Sequence, residues 1–343
     1  MARPTNRARL IDLVDDWAPK LKKAFLDAIA DITSSADLGR MVRSIEAGDV
    51  EDALRAAHLD PASFRPVDIA IAEAVAAGGG YAVNRMPLLR DTEGHRVVFR
   101  FDVRNPRAET YLQSRSSELV TEILSDQRTA IRAALRAGME AGQNPRSVAL
   151  DIVGRIDTKT GRRSGGVVGL TSMQEQFARN YRLELLSGDP AAMQNALKRE
   201  LRDRRFDATV RQAIADGKPL SLNTVDKLVT RYRASLLRLR GETIGRTEAL
   251  TSLHVGQNEA YQQAIESGAV QRSHVRKVWS ATGDSRVRHT HRILDGQKVP
   301  LDGTFLSPSG ARLRFPGDPN APAAEIINCR CAVEYDIDFL AGG

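Results

Sequence analysis

The amino-acid sequence predicts an α+β fold that is predominantly helical. Alanine and leucine recur at helical spacing over most of the 343 residues, and aromatic residues make up only 5%. From Lys277 onward, glycine, proline, aspartate and asparagine separate short strand-like pieces. A chain of this length exceeds one typical core, and these changes in composition divide it into three regions, residues 1–80, 81–240 and 241–343.

The first two regions are predicted to be helical with a single β-hairpin. The triple glycine at residues 78–80 is expected to end the helices of residues 1–80, because glycine readily adopts turn conformations. Alternating apolar side chains over residues 97–103 predict one arm of a hairpin near residues 88–104, the only sheet expected in this part of the chain. Helices resume after the hairpin and are interrupted by a glycine-rich basic loop at residues 161–169.

The third region, residues 241–343, is predicted to form a small α+β domain. It begins with an amphipathic helical pattern over Ile244–Glu266. The strands expected after this helix are short, and they are Arg276–Trp279, Gln297–Pro300, Arg312–Phe315 and Ala332–Tyr335.

Charge and hydropathy limit the class of protein. The formal net charge of +7 and the isoelectric point near 9.6 favour anionic partners such as nucleic acid or an acidic protein surface. Apolar runs fall short of the roughly 18 residues that a membrane span needs, and the basic N-terminus lacks the apolar core of a signal peptide. We therefore expect synthesis in a cytoplasm and no membrane contact. The two cysteines argue against a disulfide-stapled secreted scaffold.

Side chains that can bind a metal are concentrated in the third region. His289 with His291 and Cys329 with Cys331 would make a chemically sensible tetrahedral zinc set. However, about two to four residues usually separate paired zinc-binding cysteines, and here a single residue does. The two histidines share a face if their segment is a strand and point apart if it is a helix. The spacing therefore favours the alternative, in which His291 satisfies buried backbone groups and the cysteines pack as small apolar side chains.

Two catalytic arrangements would use residues of the same region. One is a cysteine thiolate with His291 as the base and Asp295 as the orienting carboxylate. The other is a metal-dependent nuclease in which Glu248, His291 and Asp284 hold the metal. Neither has a local signature, and such residue types often meet by chance. We therefore predict no catalytic residues and keep the nuclease as the alternative function.

Two basic segments are candidates for contact with nucleic acid. Arg162 and Arg163 lie among the glycines of the loop at residues 161–169, whose amides could cradle a phosphate. The loop lacks the Gly-Lys-Ser/Thr ending of a nucleotide-binding P-loop, so a connector is favoured, with its two arginines as the candidate DNA contacts. The basic cluster at residues 198–205 contains acidic partners and is expected to be a salt-bridged helix face.

Four motifs follow one another in the third region. They are Arg-Thr-Glu at 246–248, His-x-x-Leu-Asp-Gly at 291–296, Pro-Gly-Asp at 316–318 and Asn-Cys-Arg-Cys at 328–331. Each block alone is weakly specific, whereas the four in this order are specific. Together they resemble the phage Mu F-like head morphogenesis family, firmly over about residues 240–335.

The resemblance has two departures and a looser extension. Gly245 stands where the family commonly has alanine, and Val287 stands where a threonine is usual. A looser likeness covers Phe99–Leu170. Glu248 of the first motif is expected to pair with an arginine of the segment that follows its helix, Arg286 or Arg288.

The resemblance implies a minor head protein of a tailed bacteriophage, which aids procapsid assembly and DNA packaging or delivery near the portal. The implied partners are the portal, scaffolding or major capsid protein, with non-specific DNA contact. The implied location is the virion, after assembly in the host cytoplasm. The family offers no catalytic mechanism, so the resemblance implies a structural protein without a cofactor, the candidate zinc apart. The structural centre that it implies comprises Arg246, Thr247, Glu248, Trp279, Asp284, Arg286, Arg288, His291, Asp295, Gly296, Pro316, Gly317, Asp318, Asn328, Cys329, Arg330 and Cys331.

Overall fold

The computed structural model describes residues 6–87, 89–90, 95–158 and 160–338. It is 64% helical with a few small antiparallel sheets, which confirms the predicted fold class. None of the helices in these ranges is long and apolar enough to cross a membrane. The helices are α1 (Asn6–Ser35), α2 (Leu38–Glu46), α3 (Val50–Arg55), α4 (Arg65–Val83), α5 (Pro106–Glu140), α6 (Pro145–Val153), α7 (Ser172–Leu186), α8 (Pro190–Lys198), α9 (Asp207–Ala215), α10 (Leu222–Glu266), α11 (His289–Leu294) and α12 (Ala323–Ile326). The strands are β1 (Leu89–Arg90), β2 (Arg96–Val97), β3 (Arg155–Ile156), β4 (Arg163–Ser164), β5 (Val275–Ser280), β6 (Lys298–Pro300), β7 (Phe305–Leu306), β8 (Arg312–Leu313) and β9 (Ala332–Ile337).

The chain folds as two compact units whose segments alternate along the sequence. The first unit combines Met1–Phe25, Pro66–Ser116 and Glu242–Gly343, and the second combines Leu26–Arg65 and Ser117–Gly241. The sequence predicts three consecutive regions, whereas α1, α5 and α10 each contribute residues to both units. Contacts between distant segments define the units, and local sequence patterns do not predict such contacts.

The first unit is built around a three-stranded antiparallel sheet in the order β6-β5-β9. In the central strand β5, burial alternates, and Val275, Lys277 and Trp279 point into the core. Tyr261 of α10 stacks on Tyr335 of β9 with ring centroids 4.3 Å apart, so the helix packs against the sheet. The four predicted strands of the third region correspond to β5, β6, β8 and β9.

Helix α4 continues through the triple glycine at residues 78–80, so the expectation that these glycines end the helix is wrong. They allow another helix to approach closely. A Cβ on Gly78 would stand 2.2 Å from the carbonyl oxygen of Leu253 in α10. On the other side of this contact, a Cβ on Gly256 would stand 2.0 Å from the carbonyl oxygen of Val75. The backbones of α4 and α10 therefore touch, which side chains larger than hydrogen would prevent.

The hairpin predicted near residues 88–104 is present but shorter. β1 pairs with β2 in antiparallel register, and residues 91–94 of the predicted turn lie outside the described residues. The arm expected to reach Val103 ends at Val97 instead. Beyond it, the Gln263 side chain accepts the N–H of Asp102 at 2.9 Å and donates to its carbonyl oxygen at 2.8 Å. The Gln263 side chain therefore takes the place of a neighbouring strand as the hydrogen-bond partner of the Asp102 backbone.

The second unit is helical and has a core of its own. The core lies between α7, α8, α9 and the first half of α10, where the rings of Tyr181 and Tyr232 pack at 4.8 Å. Thr171 and Gln174 form a capping box at the start of α7, which satisfies two backbone N–H groups there.

The glycine-rich loop at residues 161–169 is a packed part of the second unit. It contains β4, which pairs with β3, so the expectation of one sheet before the third region is wrong. The N–H groups of Val167 and Val168 donate to the carbonyl oxygens of Asp151 and Ile152. A Cβ on Gly166 would lie 2.5 Å from the Ile152 oxygen, so glycine is needed here for a close backbone approach.

Candidate metal centre

His291 and His289 lie on helix α11 and point in different directions. His291 is buried on the inner face with Leu294, three residues later, whereas His289 is exposed. Two residues advance an α-helix by about 200°, so both rings cannot face the same site. The predicted zinc set of two histidines and two cysteines is therefore wrong in His289.

The two cysteines approach His291 from the segment that leads into β9. Asn328 adopts a left-handed conformation with φ of 55°, and Cys329 and Cys331 follow it in a segment outside the helices and strands. The Nδ1 atom of His291 lies 3.4 Å from Sγ of Cys329 and 3.5 Å from Sγ of Cys331. All three side chains are buried, and they are the only group of three or more metal-ligating residues in the described part of the chain.

The other nitrogen of the His291 ring faces Glu325 of α12. Nε2 lies 2.7 Å from the Glu325 carboxylate, which is itself buried. Burial alone would raise the pKa of Glu325, but hydrogen bonds from Ser309 and Ser307 and the nearby His291 ring lower it below its usual value. The ionised carboxylate therefore holds the ring and selects the tautomer with the proton on Nε2.

Each of the two thiols shifts the pKa of the other. The pKa of Cys329 is lowered by a hydrogen bond from Cys331 and by His291, against the opposing effect of burial. The pKa of Cys331 is raised by the same Cys329 interaction and by burial. The pKa values of the two neighbouring thiols are therefore shifted in opposite directions. Since each cysteine exposes only 1% of its surface, the pair is closed to macromolecular substrates.

The structure does not bring together either predicted catalytic set. Asp295 accepts the N–H of Ala281 at 2.7 Å, and the carboxylate on His291 is that of Glu325 instead. Glu248 is held by Arg115, and Asp284 is held by neighbouring arginines. The proposed ligand set Glu248, His291 and Asp284 is therefore wrong, because two of its members are engaged elsewhere.

Comparison with known proteins identifies the segment that carries this centre. Residues 204–334 match the family model described as phage Mu protein F like protein. We call residues 204–334, which are similar to this family, the Mu F-like segment. The sequence predicts this resemblance over about residues 240–335. The match begins earlier, at residue 204, and ends at residue 334.

Three known proteins are similar to part of this chain. The minor head protein GP7 of Bacillus phage SPP1 is 38% identical over 79 residues, which are 23% of this chain and 25% of that protein. The NAD(+)–arginine ADP-ribosyltransferase EFV of Enterococcus faecalis is 34% identical over 102 residues, 29% of this chain and 19% of that protein. Protein YqbB of Bacillus subtilis is 33% identical over 104 residues, 29% of this chain and 32% of that protein.

These relatives are only partly covered. The chain spans between 19% and 32% of their lengths. The activity in the name of the transferase therefore describes that protein and is not assigned to this chain. No solved structure gives a significant match to it.

The Mu F-like motifs are linked to one another around the centre. The hydroxyl of Thr247 accepts the N–H of Asn328 at 3.2 Å, which joins the Arg-Thr-Glu helix to the Asn-Cys-Arg-Cys turn. Arg288 donates to the carbonyl oxygen of Ile327 in that same turn. The indole of Trp279 meets the His291 ring edge-on at 5.0 Å and forms one wall of the site.

The other motif residues shape the loops. The N–H of Gly296, at φ of 76°, donates to the Trp279 carbonyl oxygen at 2.9 Å. In the Pro316-Gly317-Asp318 turn, Thr251 donates to the Gly317 oxygen at 2.8 Å. The further contacts are Arg246 with Asp15, Asp318 with Arg314, Asp284 with Arg286, and Arg330 with Asp284.

Gly245, a departure from the family pattern, has a local cause. A Cβ at this position of α10 would stand 2.4 Å from the carbonyl oxygen of Ala18 in α1. An alanine there would force the two helices apart. The departure therefore goes with a close contact between α1 and α10.

Several functional side chains had no sequence signal. Glu325 stands in an ordinary Ala-Ala-Glu-Ile run, and Ser307 and Ser309 flank a proline in a turn. Arg115 holds Glu248, whereas Arg286 and Arg288 were the expected partners. Only the position of these residues in the folded chain shows what they bind.

Proposed function

We propose that this chain is a minor head protein of a tailed bacteriophage, with a structural rather than an enzymatic role. The observation that carries the proposal is the match of the Mu F-like segment, together with a relative named as a minor head protein. The buried histidine and cysteines of this segment form a closed centre, which suits a structural part better than a catalytic site open to substrates.

The proposal includes a place in assembly. The protein is made in the host cytoplasm, enters the procapsid in low copy and remains in the virion. Its partners there are the portal, the scaffolding protein or the major capsid protein. It aids procapsid assembly, and DNA packaging or delivery near the portal.

The test uses the phage or prophage that encodes the chain. An early stop codon is introduced, and heads from the mutant and the parent are compared by mass spectrometry, electron microscopy and infectivity. We expect the chain in purified parental heads at far fewer copies than the major capsid protein, and fewer infectious particles from the mutant. Absence of the chain from purified, DNA-filled parental heads would overturn the proposal.

A basic groove in the second unit supports contact with DNA as part of this role. The groove has a volume of about 1030 Å³ and is lined by seven arginine or lysine side chains and three aspartates. Such an excess of positive charge suits the phosphate backbone without reading sequence. Of the two arginines predicted for this contact, Arg163 donates to the carbonyl oxygen of Gly154, and Arg162 lies on the surface near Asp27.

Salt-dependent binding to double-stranded DNA tests the groove. Changing Arg204, Lys227 and Arg238 to Ala removes three exposed charges from its lining. We expect weaker binding and a slope of log affinity against log salt that is smaller by about two to three. The matched control changes three exposed arginines of the first unit to Ala and should leave the slope unchanged. Equal effects of the two triple variants would contradict a specific role for the groove. The control residues are Arg286, Arg292 and Arg312.

A further inference from the structure

The Nδ1 atom of the His291 ring lies next to more sulfur atoms than it can form hydrogen bonds with. Because Nε2–H donates a hydrogen bond to the Glu325 carboxylate, Nδ1 carries a single lone pair. Two sulfur atoms stand at nearly the same distance from it, 3.4 Å and 3.5 Å. A lone pair can accept one well-formed hydrogen bond, so Nδ1 can accept from only one of the two sulfurs that lie next to it.

The same distances fit three ligands around one zinc ion. With Zn–S of about 2.3 Å and Zn–N of about 2.0 Å at tetrahedral angles, a sulfur and a nitrogen ligand lie about 3.5 Å apart. Both observed distances between Nδ1 and sulfur agree with this value, and the three ligand atoms lie within 4.8 Å of one another. A single ion would therefore satisfy the lone pair and both sulfurs at once.

The surroundings have the arrangement that zinc-binding histidines usually show. A histidine ligand commonly donates its second ring N–H to a carboxylate, which orients the ring and raises its basicity. Glu325 is placed for this, and its own oxygens accept hydrogen bonds from Ser307 at 3.0 Å, Ser309 at 2.5 Å and Thr290 at 3.2 Å. Four side chains thus keep one carboxylate in place behind the ring.

The geometry points to a zinc site formed by His291 Nδ1, Cys329 Sγ and Cys331 Sγ, with Glu325 as the positioning residue on Nε2. Two thiolates and an imidazole are ligands that suit Zn²⁺. On binding, both sulfurs are thiolates and their protons pass to solvent, while the ring stays neutral. Within the described ranges no further histidine, cysteine or carboxylate joins the group, so water supplies the fourth ligand.

Such a site would connect parts of the first unit that have little regular structure. His291 lies on the six-residue helix α11, the cysteines precede β9, and Glu325 lies on the four-residue helix α12. Helices this short are not stable alone. A bound ion would join them covalently to the edge of the sheet, and its binding energy would contribute to folding.

Metal analysis of the full chain tests the site. The protein is purified reduced, reconstituted with zinc and analysed for bound metal, and Co²⁺ is exchanged in to read the thiolate-to-cobalt absorption. We expect about one ion per chain, a cobalt spectrum typical of tetrahedral thiolate coordination, and loss of both in Cys329→Ser. Glu325→Gln should still bind, with an affinity lower by about 10- to 100-fold. The exposed His289→Ala is the matched control and should bind as the parent does.

Several outcomes would overturn the site. One is a folded, reduced parent chain that takes up no ion during a zinc titration. Another is a cobalt spectrum without thiolate bands. A third is unchanged affinity in Glu325→Gln, which would remove the positioning role. If Cys329→Ser does not fold, Glu325→Gln and the cobalt spectrum of the parent decide the question.

Discussion

Replacement of Arg115 by Met is expected to lower the free energy of unfolding of the first unit by about 3–5 kcal/mol. Arg115 of α5 holds Glu248 of the Arg-Thr-Glu motif through two contacts, Nη2 to Oε1 at 2.5 Å and Nε to Oε2 at 3.2 Å. The two side chains are only 11% and 4% exposed. Without the guanidinium, a buried carboxylate is left without its charged partner, which costs more than the lost contacts alone.

Urea unfolding followed by tryptophan fluorescence measures this effect selectively. The chain has two tryptophans, Trp17 and Trp279, and both lie in the first unit. The matched control is Arg272→Met, which breaks an exposed ion pair with Asp302 and should cost less than about 1 kcal/mol.

A second variant separates the charge from the packing. Arg115→Met combined with Glu248→Leu removes both charges and should recover most of the stability lost in Arg115→Met. If Arg115→Met costs no more than Arg272→Met, Glu248 has an adequate partner without Arg115, and the proposed cost of a buried unpaired charge is wrong.

Local periodicity predicts those elements whose form depends on local contacts. The strands expected at Arg276–Trp279 and Ala332–Tyr335 coincide with β5 and β9 to within two residues, and they pair with Trp279 opposite Val333. Apolar and polar side chains alternate along a strand that has one buried face. This alternation can be recognised without knowing which strand lies beside it.

The failed predictions concern contacts between distant segments. The triple glycine at residues 78–80 has the local signature of a turn, yet the backbone of Leu253 lies against it. Likewise, the alternation over residues 97–103 predicts a strand, but Gln263 bonds the backbone at Asp102. In both cases a contact with a residue more than 150 positions away overrides the conformation that the local sequence favours.

The composition of the candidate metal centre was predictable from the sequence, whereas its geometry was not. The concentration of His289, His291 and the two cysteines predicts the segments in which His291 and both cysteines come together. The helix of α11 then excludes His289, and the fold supplies Glu325, a carboxylate with no motif of its own. A spacing of one residue between cysteines counts against zinc only while the chain conformation is unknown, since in the folded chain both sulfurs lie within 3.5 Å of His291 Nδ1.

Acidification is expected to destabilise the first unit through His254. Burial lowers the pKa of this ring from 6.5 to about 3, and its Nε2 accepts the N–H of Val333 at 3.1 Å. The folded chain therefore keeps His254 neutral where the unfolded chain binds a proton. Between pH 6.5 and 3 the unfolded state holds more protons, so stability falls as the pH falls, by about 1.4 kcal/mol per pH unit.

His254→Gln isolates this contribution, because glutamine offers Val333 an acceptor that does not titrate. The free energy of unfolding of both chains is measured by tryptophan fluorescence from pH 7 to pH 4. The difference between the curves cancels the contributions of the carboxylates and of the candidate metal centre, because both chains share them. We expect the parent to lose about 3 kcal/mol more than the variant between pH 6.5 and 4. Parallel curves would mean that His254 is protonated inside the fold, which its burial and its accepted hydrogen bond oppose.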